Sequence, residues 1–168
     1  HRDSGGAGFH RGGCGIVRDV RVLADEADLG IRLDNCKYPA FGTNGGLAGK
    51  AGRIIVNPDS NDAYELKSMS DGNPLKKGDL LRVITSGGGG WGNPLSRPAE
   101  EVLDDILDGF VSIEQAAADY GVILDAAEIA VDMKATRAWR ATLDSERGMF
   151  NRAEFFGGAA GLTPPAAE

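Results

Sequence analysis

Two glycine-rich stretches constrain this chain more than any other feature of its sequence. The first covers residues 4–15 and the second residues 86–92, in a chain of 168 residues that contains 25 glycines. Glycine loses more backbone freedom on folding than any other residue, so a fold that orders these stretches must need positive φ or very close backbone contact there. Each stretch adjoins a run that predicts a β-strand. We therefore expect the functional surface to lie at these two stretches.

The overall composition argues against several classes of protein. The formal net charge of −7 disfavours nucleic acid and anionic membrane surfaces as partners. Arg11, Arg18 and Arg21 form the one basic cluster, which we interpret as charge on a strand face. Nowhere does the sequence approach the roughly 18 consecutive apolar residues that a membrane-spanning helix needs. We predict a domain with neither a nucleic-acid nor a membrane partner.

The two cysteines, Cys14 and Cys36, indicate the redox setting. They are too few for a disulfide framework and too isolated for a zinc site, which needs about four ligands at short spacings. A reduced, cytoplasmic location is therefore predicted. The first residue, His1, stands directly before a glycine stretch, and we interpret the sequence as a partial chain.

The first half of the chain predicts an antiparallel β portion. Runs rich in β-branched residues favour strands at 16–23, 53–57 and 80–85, and residues 64–66 are expected to form a hairpin with the second of these. Turn-forming residues fill 34–52 and predict a long loop there.

The second half predicts three short helices. These are expected at 98–108 with Ser96 as N-cap, at 112–120 with a capping box, and at 132–147 with Asp132 as N-cap. The last helix is expected to turn Ala135, Ala138, Trp139 and Leu143 inward. The predicted fold class is α+β, with a glycine-loop-rich antiparallel β portion followed by three short helices. We divide the chain into a β-rich portion at 1–95, a helical portion at 96–147 and a flexible tail at 148–168, which has too few apolar side chains to order itself.

Three local patterns resemble ligand-binding or catalytic signatures without completing one. The second stretch has the glycine spacing of a P-loop, but Asn93 and Pro94 stand where lysine and serine or threonine would hold phosphate. Asp3, Ser4 and His10 supply the residue types of a hydrolytic triad but no nucleophile elbow. His1, Asp3 and His10 could also be metal ligands, although the spacing that a metal site requires is missing. A tight turn anchored by Trp91 is the favoured interpretation of the second stretch.

In their order along the chain, the motifs resemble the C-terminal third of the hydantoinase B/5-oxoprolinase family. The segments that carry this resemblance are RDSGGAG at 2–8, RGGCG at 11–15, TSGGGGWGNPL at 85–95 and DYGV at 119–122. The resemblance extends from about Arg2 to about Leu143.

This resemblance implies a role as the C-terminal portion of the B-type subunit of an ATP-dependent cyclic-amide hydrolase, of the 5-oxoprolinase or N-methylhydantoinase type. The chain would complete the fold around the substrate cavity or a subunit interface. The implied partners are an A-type ATPase subunit or domain, which phosphorylates the substrate, and the upstream part of the B-type subunit. No residue here matches the family's metal ligands. We therefore expect no cofactor on this chain alone, with ATP and a divalent metal elsewhere in the assembly and an inactive isolated chain.

No catalytic residue and no metal ligand is assigned, and the residues expected to contact the substrate or a neighbouring subunit lie in the two glycine stretches. They are Ser4, Gly5, Gly6, Arg11, Gly12, Gly13, Gly87, Gly88, Gly89, Gly90 and Trp91. Two alternatives stay open. The chain could be part of a related ATP-dependent ketone carboxylase, or it could be a non-catalytic interaction or scaffold fragment in which Trp91, Tyr38 and Phe41 anchor a partner.

Overall fold

The computed structural model describes residues 1–125 and 129–143, and within them the chain forms eight strands and three α-helices. The α+β class is thereby confirmed. The strands are β1 (Val17–Arg21), β2 (Glu26–Ile31), β3 (Arg53–Val56), β4 (Tyr64–Glu65), β5 (Ser70–Lys76), β6 (Leu80–Ile84), β7 (Leu124–Asp125) and β8 (Ala130–Val131). The helices are α1 (Ala99–Leu107), α2 (Ile113–Gln115) and α3 (Met133–Arg140), with a 3₁₀ turn at Pro94–Ser96 before α1 and a π-helical turn at Ala116–Tyr120 continuing α2.

The main sheet has four antiparallel strands in the order β1-β6-β3-β4. Its central strand β6 pairs Ile84 with Val17 on one side and with Arg53 on the other. The strands predicted at 16–23, 53–57 and 80–85, and the hairpin to residues 64–66, all belong to this sheet. The β-branched runs were therefore a reliable signal.

A second, two-stranded ribbon pairs β2 with β5 and was not predicted. Its strands carry poor β-formers: β2 contains Glu26 and Asp28, and β5 contains Gly72 at positive φ and Pro74. Proline lacks the N–H of a ladder bond and is tolerated where a strand has an open edge, which both strands of a ribbon have. Local propensity therefore pointed to turns where tertiary pairing makes strands.

Two apolar clusters form the core. One takes residues from the main sheet and from the ribbon, so it lies where the two meet: Ile31, Ile54, Val56, Leu75 and Leu81. The other is built mainly from the helical part but includes Ala7 and has Leu47 packed against it. This second cluster crosses the predicted boundary at 95/96, since it joins the first glycine stretch to the helices.

The helix ends follow their capping residues at most positions. Ser112 accepts a hydrogen bond from the Gln115 amide, and Asp132 accepts one from the Ala135 amide, as predicted. Ser96 does not cap α1, because it lies in the 3₁₀ turn, and Pro98 precedes the helix without a side-chain cap. The predicted tail at 148–168 lies outside the described residues.

Helix α3 buries a different face from the one expected. The sequence placed Ala138 and Trp139 inward, but both are exposed, and the buried side chain is Thr136. The Thr136 hydroxyl accepts a hydrogen bond from the Ile123 amide and donates one to the Ile123 carbonyl, which ties α3 to the strand segment before β7. A buried hydroxyl with two backbone partners replaced the apolar contact that periodicity suggested.

Candidate interface built from three glycine segments

Three irregular segments lie side by side and are joined by backbone hydrogen bonds. We call residues 4–15, 41–52 and 86–92 the first, second and third glycine segments. The Gly6 amide donates to the Gly88 carbonyl at 2.8 Å, and the Gly90 amide donates to the Leu47 carbonyl at 2.9 Å. The Leu47 amide donates in turn to the Ala7 carbonyl at 2.7 Å. Each segment therefore contacts the other two. The second segment, predicted only as a long loop, is part of the same assembly.

Close backbone approach explains the glycines of this assembly. A Cβ atom added at Gly89 would lie 1.6 Å from the Phe41 carbonyl oxygen, and one added at Gly87 would lie 1.7 Å from the Ser4 carbonyl oxygen. No L side chain fits at such distances. Within the third segment only Gly92 has a positive φ, of 76°. Contact between backbones, more than unusual dihedral angles, therefore requires glycine here.

The third segment cannot cradle a phosphate in this arrangement. The amides of five of its residues donate to carbonyls of the other two segments: Gly87, Gly88, Gly90, Trp91 and Gly92. A phosphate-binding loop needs such amides free to point at the anion. Hydrogen bonding within the protein, together with the missing lysine, excludes the P-loop interpretation.

The serine, aspartate and histidine near the N-terminus do not assemble into a triad. The Ser4 hydroxyl is buried, donates to the His1 carbonyl and accepts from the Gly15 amide at 2.8 Å. Asp3 accepts from the Ser112 amide at 2.7 Å and so connects the first segment to the start of α2. The His10 ring packs against Phe9 and Trp91. Each of the three residues holds the fold together locally.

A metal centre was a further possibility for these histidines. Within residues 1–125 and 129–143, no group of three or more histidine, cysteine, aspartate or glutamate side chains is close enough to hold a metal ion. The family resemblance places the divalent metal elsewhere in the assembly, and we assign no chemical step to a metal on the described part of this chain.

A buried ion-pair cluster fastens the first glycine segment to the helical part. Asp105, on the inner face of α1, lies 3.1 Å from Arg11 Nε through Oδ1 and 3.1 Å from Arg97 Nη2 through Oδ2. The Asp105 side chain is only 10% exposed. Burying a carboxylate is costly unless cations compensate it, and two arginines do so here. Arg11 is therefore a half-buried structural residue rather than a charge on a strand face.

The rest of the Arg11 side chain is also engaged. Its Nη1 donates to the Gly12 carbonyl at 2.8 Å and lies 3.4 Å from the Cys14 sulfur. The guanidinium stands 4.8 Å from the centre of the Phe110 ring, in cation–π geometry. These contacts hold the first segment against the loop that follows α1.

Tyr120 lies beside this cluster and has an unusual environment. Its ring is fully buried, and its hydroxyl has no hydrogen-bond partner among the described residues. Burial, with the Asp105 carboxylate as the next cause, raises the pKa of Tyr120 well above its usual value. The phenol is thus neutral at any physiological pH.

The residues predicted to form contacts differ widely in accessibility. Gly13 and Trp91 are exposed, and a Cβ at Gly13 would meet no atom within 4 Å. The half-buried residues are Gly5, Arg11, Gly88 and Gly89, and the buried ones are Ser4, Gly6, Gly12, Gly87 and Gly90. The rival anchors Tyr38 and Phe41 are exposed as well. An external partner can therefore reach Gly13, Trp91 and the two aromatic side chains most directly.

Sequence reasoning missed Asp105, although a signal for it exists. Val102 and Ile106 belong to the apolar stripe of α1, and position 105 falls three residues after Val102 on the same side of the helix. An acidic residue inside an apolar stripe predicts a buried cationic partner. Its partner Arg11 is 94 residues away in sequence, so only the fold identifies the pair.

A separate open groove lies away from the glycine segments. It has a volume of about 1270 Å³ and is lined by residues of the ribbon, by the β3–β4 hairpin and by Asp79. The Asp79 carboxylate accepts hydrogen bonds from Asn57 Nδ2 at 2.9 Å and from the Lys76 amide at 2.8 Å, and the Asn57 bond is the main cause of its lowered pKa. These bonds close the turn before β6 and explain why Asp79 stands there.

Comparison with known proteins places the chain in a family. The sequence model of the Hydantoinase B/oxoprolinase family matches residues 1–94, which contain all three glycine segments. The chain belongs to this family.

Relatives with named activities are similar over most of the chain. The B-type subunit of a candidate D-/L-hydantoinase from Pseudomonas sp. (strain NS671) is 37% identical over 76% of this chain and 22% of its own length. The beta subunit of the caprolactamase of Pseudomonas jessenii is 34% identical over 83% of this chain and 24% of its own length. This chain thus spans about a quarter of the length of these relatives.

Solved structures share the fold. The crystal structure of the ATP-dependent caprolactamase from Pseudomonas jessenii superposes with a TM-score of 0.68 at 27% identity, over 83% of this chain and 24% of that one. Nucleotide-free acetone carboxylase superposes with a TM-score of 0.65 at 24% identity, over 87% of this chain and 24% of that one. At that identity the second likeness concerns the fold alone. None of the helices in the described part of the chain is long and apolar enough to cross a membrane.

Proposed function

We propose that this chain forms the C-terminal portion of the B-type subunit of an ATP-dependent cyclic-amide hydrolase of the hydantoinase or oxoprolinase type. Its role is to complete the fold around the substrate cavity or a subunit interface. The observation that carries the proposal is the family match over residues 1–94, because that region holds the whole glycine assembly. The hydantoinase and caprolactamase relatives supply the reaction class.

The partners in this proposal are the remainder of the B-type subunit and an A-type ATPase subunit or domain. An amide carbonyl is a poor electrophile, and phosphorylation by the ATPase would activate it for ring opening. In this proposal ATP and a divalent metal belong to those other parts, as the family resemblance implies. A cytoplasmic setting, predicted from two unpaired cysteines, completes the proposal.

Within the chain, the glycine assembly supplies the contact surface. Its interior is closed by backbone hydrogen bonds, which makes it a rigid support rather than a mobile loop. Gly13 and Trp91 face outward from this support, so we assign to them the contact with substrate or with a neighbouring subunit. The buried members of the predicted set act by holding these two in place.

A ketone carboxylase, the alternative that the sequence left open, is the second candidate, and acetone carboxylase shares the fold of this chain. The two reactions are separated by a substrate panel. The chain is assembled with the remainder of its B-type subunit and the A-type ATPase, and ATP hydrolysis is measured with hydantoin, caprolactam or 5-oxoproline and, separately, with acetone and bicarbonate. Stimulation by a cyclic amide supports the proposal, whereas stimulation by acetone and bicarbonate alone would replace it with the carboxylase.

A variant at Gly13 tests the assigned surface in the same assay. Gly13→Leu projects a side chain into open space, so the fold should be kept while a contact made at this point is blocked. We expect at least a tenfold loss of cyclic-amide-dependent ATP hydrolysis with an unchanged melting temperature. Ala48→Leu, at an exposed position of the second segment, serves as the matched control. Full activity of Gly13→Leu would remove Gly13 from the contact surface.

A further inference from the structure

Strand β1, at one edge of the main sheet, is exposed along its whole length. Each of its residues is exposed, and the apolar members Val17 and Val20 are exposed by 47% and 42%. The flanking Ile16 and Leu23 are exposed by 60% and 76%. By contrast, β3 of the same sheet buries Ile54 and Val56. Exposed apolar side chains thus lie on this edge strand and on the residues that flank it.

The hydrogen bonds fix which backbone groups of β1 are free. The Thr85 amide donates to the Ile16 carbonyl, and the Val22 amide donates to the Asp79 carbonyl, both at 2.9 Å. In an antiparallel pair, residues that exchange hydrogen bonds alternate with residues whose N–H and C=O point the other way. The backbone N–H and C=O groups of the even-numbered residues of β1 therefore point toward β6. The backbone groups of Val17, Asp19 and Arg21 point to the open edge, since β1 ends the described sheet.

We propose that β1 is a docking edge, to which an extended segment from the remainder of a B-type subunit adds as a fifth strand. The inference rests on the proposed function and extends it by naming the surface that receives the rest of the subunit. A strand added at an open edge gains a ladder of main-chain hydrogen bonds, with side chains alternating between the two faces. The exposed valines would pack against the apolar side chains of the incoming strand.

The length of the relatives identifies the occupant. This chain spans 22% and 24% of two relatives, so about three quarters of such a subunit lies outside it. Strand β1 also follows directly after the first glycine segment, which the family match includes. A surface contact with that larger part is therefore expected close to this strand. The edge serves equally whether the remainder is covalently continuous with this chain or separate from it.

Charge favours this occupant over a second copy of the chain. Asp19 is held by Arg82 of β6, at 2.7 Å, and that bond is the main cause of its lowered pKa. Among the described residues, Arg18 has no ion-pair partner and the Arg21 side chain donates only to the Gly78 carbonyl. Strand β1 therefore presents positive charge in a chain of net charge −7. Two copies of β1 would bring like charges together. The occupant is thus an apolar strand with a carboxylate opposite Arg18.

Substitution at Val17 tests the edge. Val17→Pro removes an N–H that points outward and keeps the bonds to β6, because proline is tolerated where a strand's N–H faces solvent. Val17→Thr keeps the N–H and the branched shape and is the matched control. The probe is the beta subunit of the Pseudomonas jessenii caprolactamase from which the quarter matching this chain has been deleted. Association is measured by analytical ultracentrifugation, and exchange of the Val17, Asp19 and Arg21 amides by hydrogen–deuterium exchange.

We expect the three amides to exchange at least tenfold more slowly in the complex, and Val17→Pro to weaken association at least tenfold while Val17→Thr binds like the wild type. A complex in which these amides stay unprotected and Val17→Pro binds normally would overturn the docking edge and leave the proposed function standing. Failure of the wild-type chain to bind would count against the proposed function itself. Protection that appears in the chain alone and rises with its concentration would assign the edge to a second copy.

Discussion

At the scale of single residues, Asp105 is the point where the helical part and the first glycine segment meet. Its two oxygens lie near two arginines that come from different parts of the chain, Arg11 and Arg97. Removing one partner of a buried ion pair leaves the remaining charges without compensation. Replacing Asp105 by the nearly isosteric asparagine should therefore lower the free energy of unfolding strongly.

Asp105→Asn should destabilise the chain by about 3 kcal/mol, because two largely buried guanidinium groups would lose their carboxylate. The measurement is the free energy of unfolding from urea titration. Asp104→Asn changes an exposed neighbour on the same helix and should stay within about 0.5 kcal/mol of the wild type. Equal stabilities of the two variants would show that the cluster contributes little.

Tyr120→Phe should change the free energy of unfolding in the opposite direction and stabilise the chain. The Tyr120 hydroxyl is buried without a hydrogen-bond partner among the described residues, so its removal relieves a desolvation cost. We expect a gain of about 1 kcal/mol in the free energy of unfolding. A loss of that size would mean that the hydroxyl has a partner. Tyr64→Phe, at an exposed position of β4, controls for the effect of removing a hydroxyl as such.

Asp79 predicts a pH dependence at acid pH. Its hydrogen bonds with Asn57 and the Lys76 amide lower the pKa of its carboxyl group in the folded chain. A carboxylate with a lowered folded pKa stabilises above the unfolded value of about 3.9, and this stabilisation is lost as the pH falls through the folded pKa. At pH values below about 4, the urea concentration at the unfolding midpoint should therefore fall less steeply with pH in Asp79→Asn than in the wild type. An unchanged slope in Asp79→Asn, matching that of the exposed Asp62→Asn control, would contradict this assignment.

At the scale of elements, the three glycine segments behave as one packed unit. Their backbones approach so closely that a single methyl group at the wrong position has no space. Interior positions of such a unit should resist substitution, whereas positions on its outside should accept it.

Two alanine substitutions separate these cases. Gly89→Ala places a Cβ atom at 1.6 Å from the Phe41 carbonyl oxygen and should cost at least about 3 kcal/mol, since backbone would have to move. Gly13→Ala meets no atom within 4 Å and lies at a position without positive φ, so it should be neutral or slightly stabilising. Thermal unfolding of both variants gives the comparison. A stable Gly89→Ala chain would show that the segments are not packed as described.

Much of this element level could be predicted, and the exceptions have physical causes. The β-branched runs around Ile54 and Val83 predicted strands correctly, because side-chain pattern and pairing agree there. The ribbon was missed because its pairing overrides the turn propensity of Gly72 and Pro74. The second glycine segment could be predicted only as a loop, since backbone-to-backbone contacts leave no periodic pattern in the side chains. The glycine stretches marked the candidate surface, but not which of their residues are accessible.

At the scale of the whole molecule, the described residues form two cores and the glycine assembly. The Asp105 cluster fixes the assembly to the helices, and the main sheet leaves β1 open beside it. A chain that spans about a quarter of the length of its relatives fits the proposed role of a completing portion. The motif order predicted the family, whereas the ion-pair cluster and the open edge depend on contacts between distant residues.

The most direct test of this role is cyclic-amide-dependent ATP hydrolysis, measured for the chain alone, for its A-type and remaining B-type parts without it, and for all parts together. If the chain is a completing portion, turnover is expected only when all parts are present. Turnover by the isolated chain would place a complete catalytic site within its 168 residues and contradict the account. Equal turnover with and without the chain would contradict it as well, because the chain would then complete nothing.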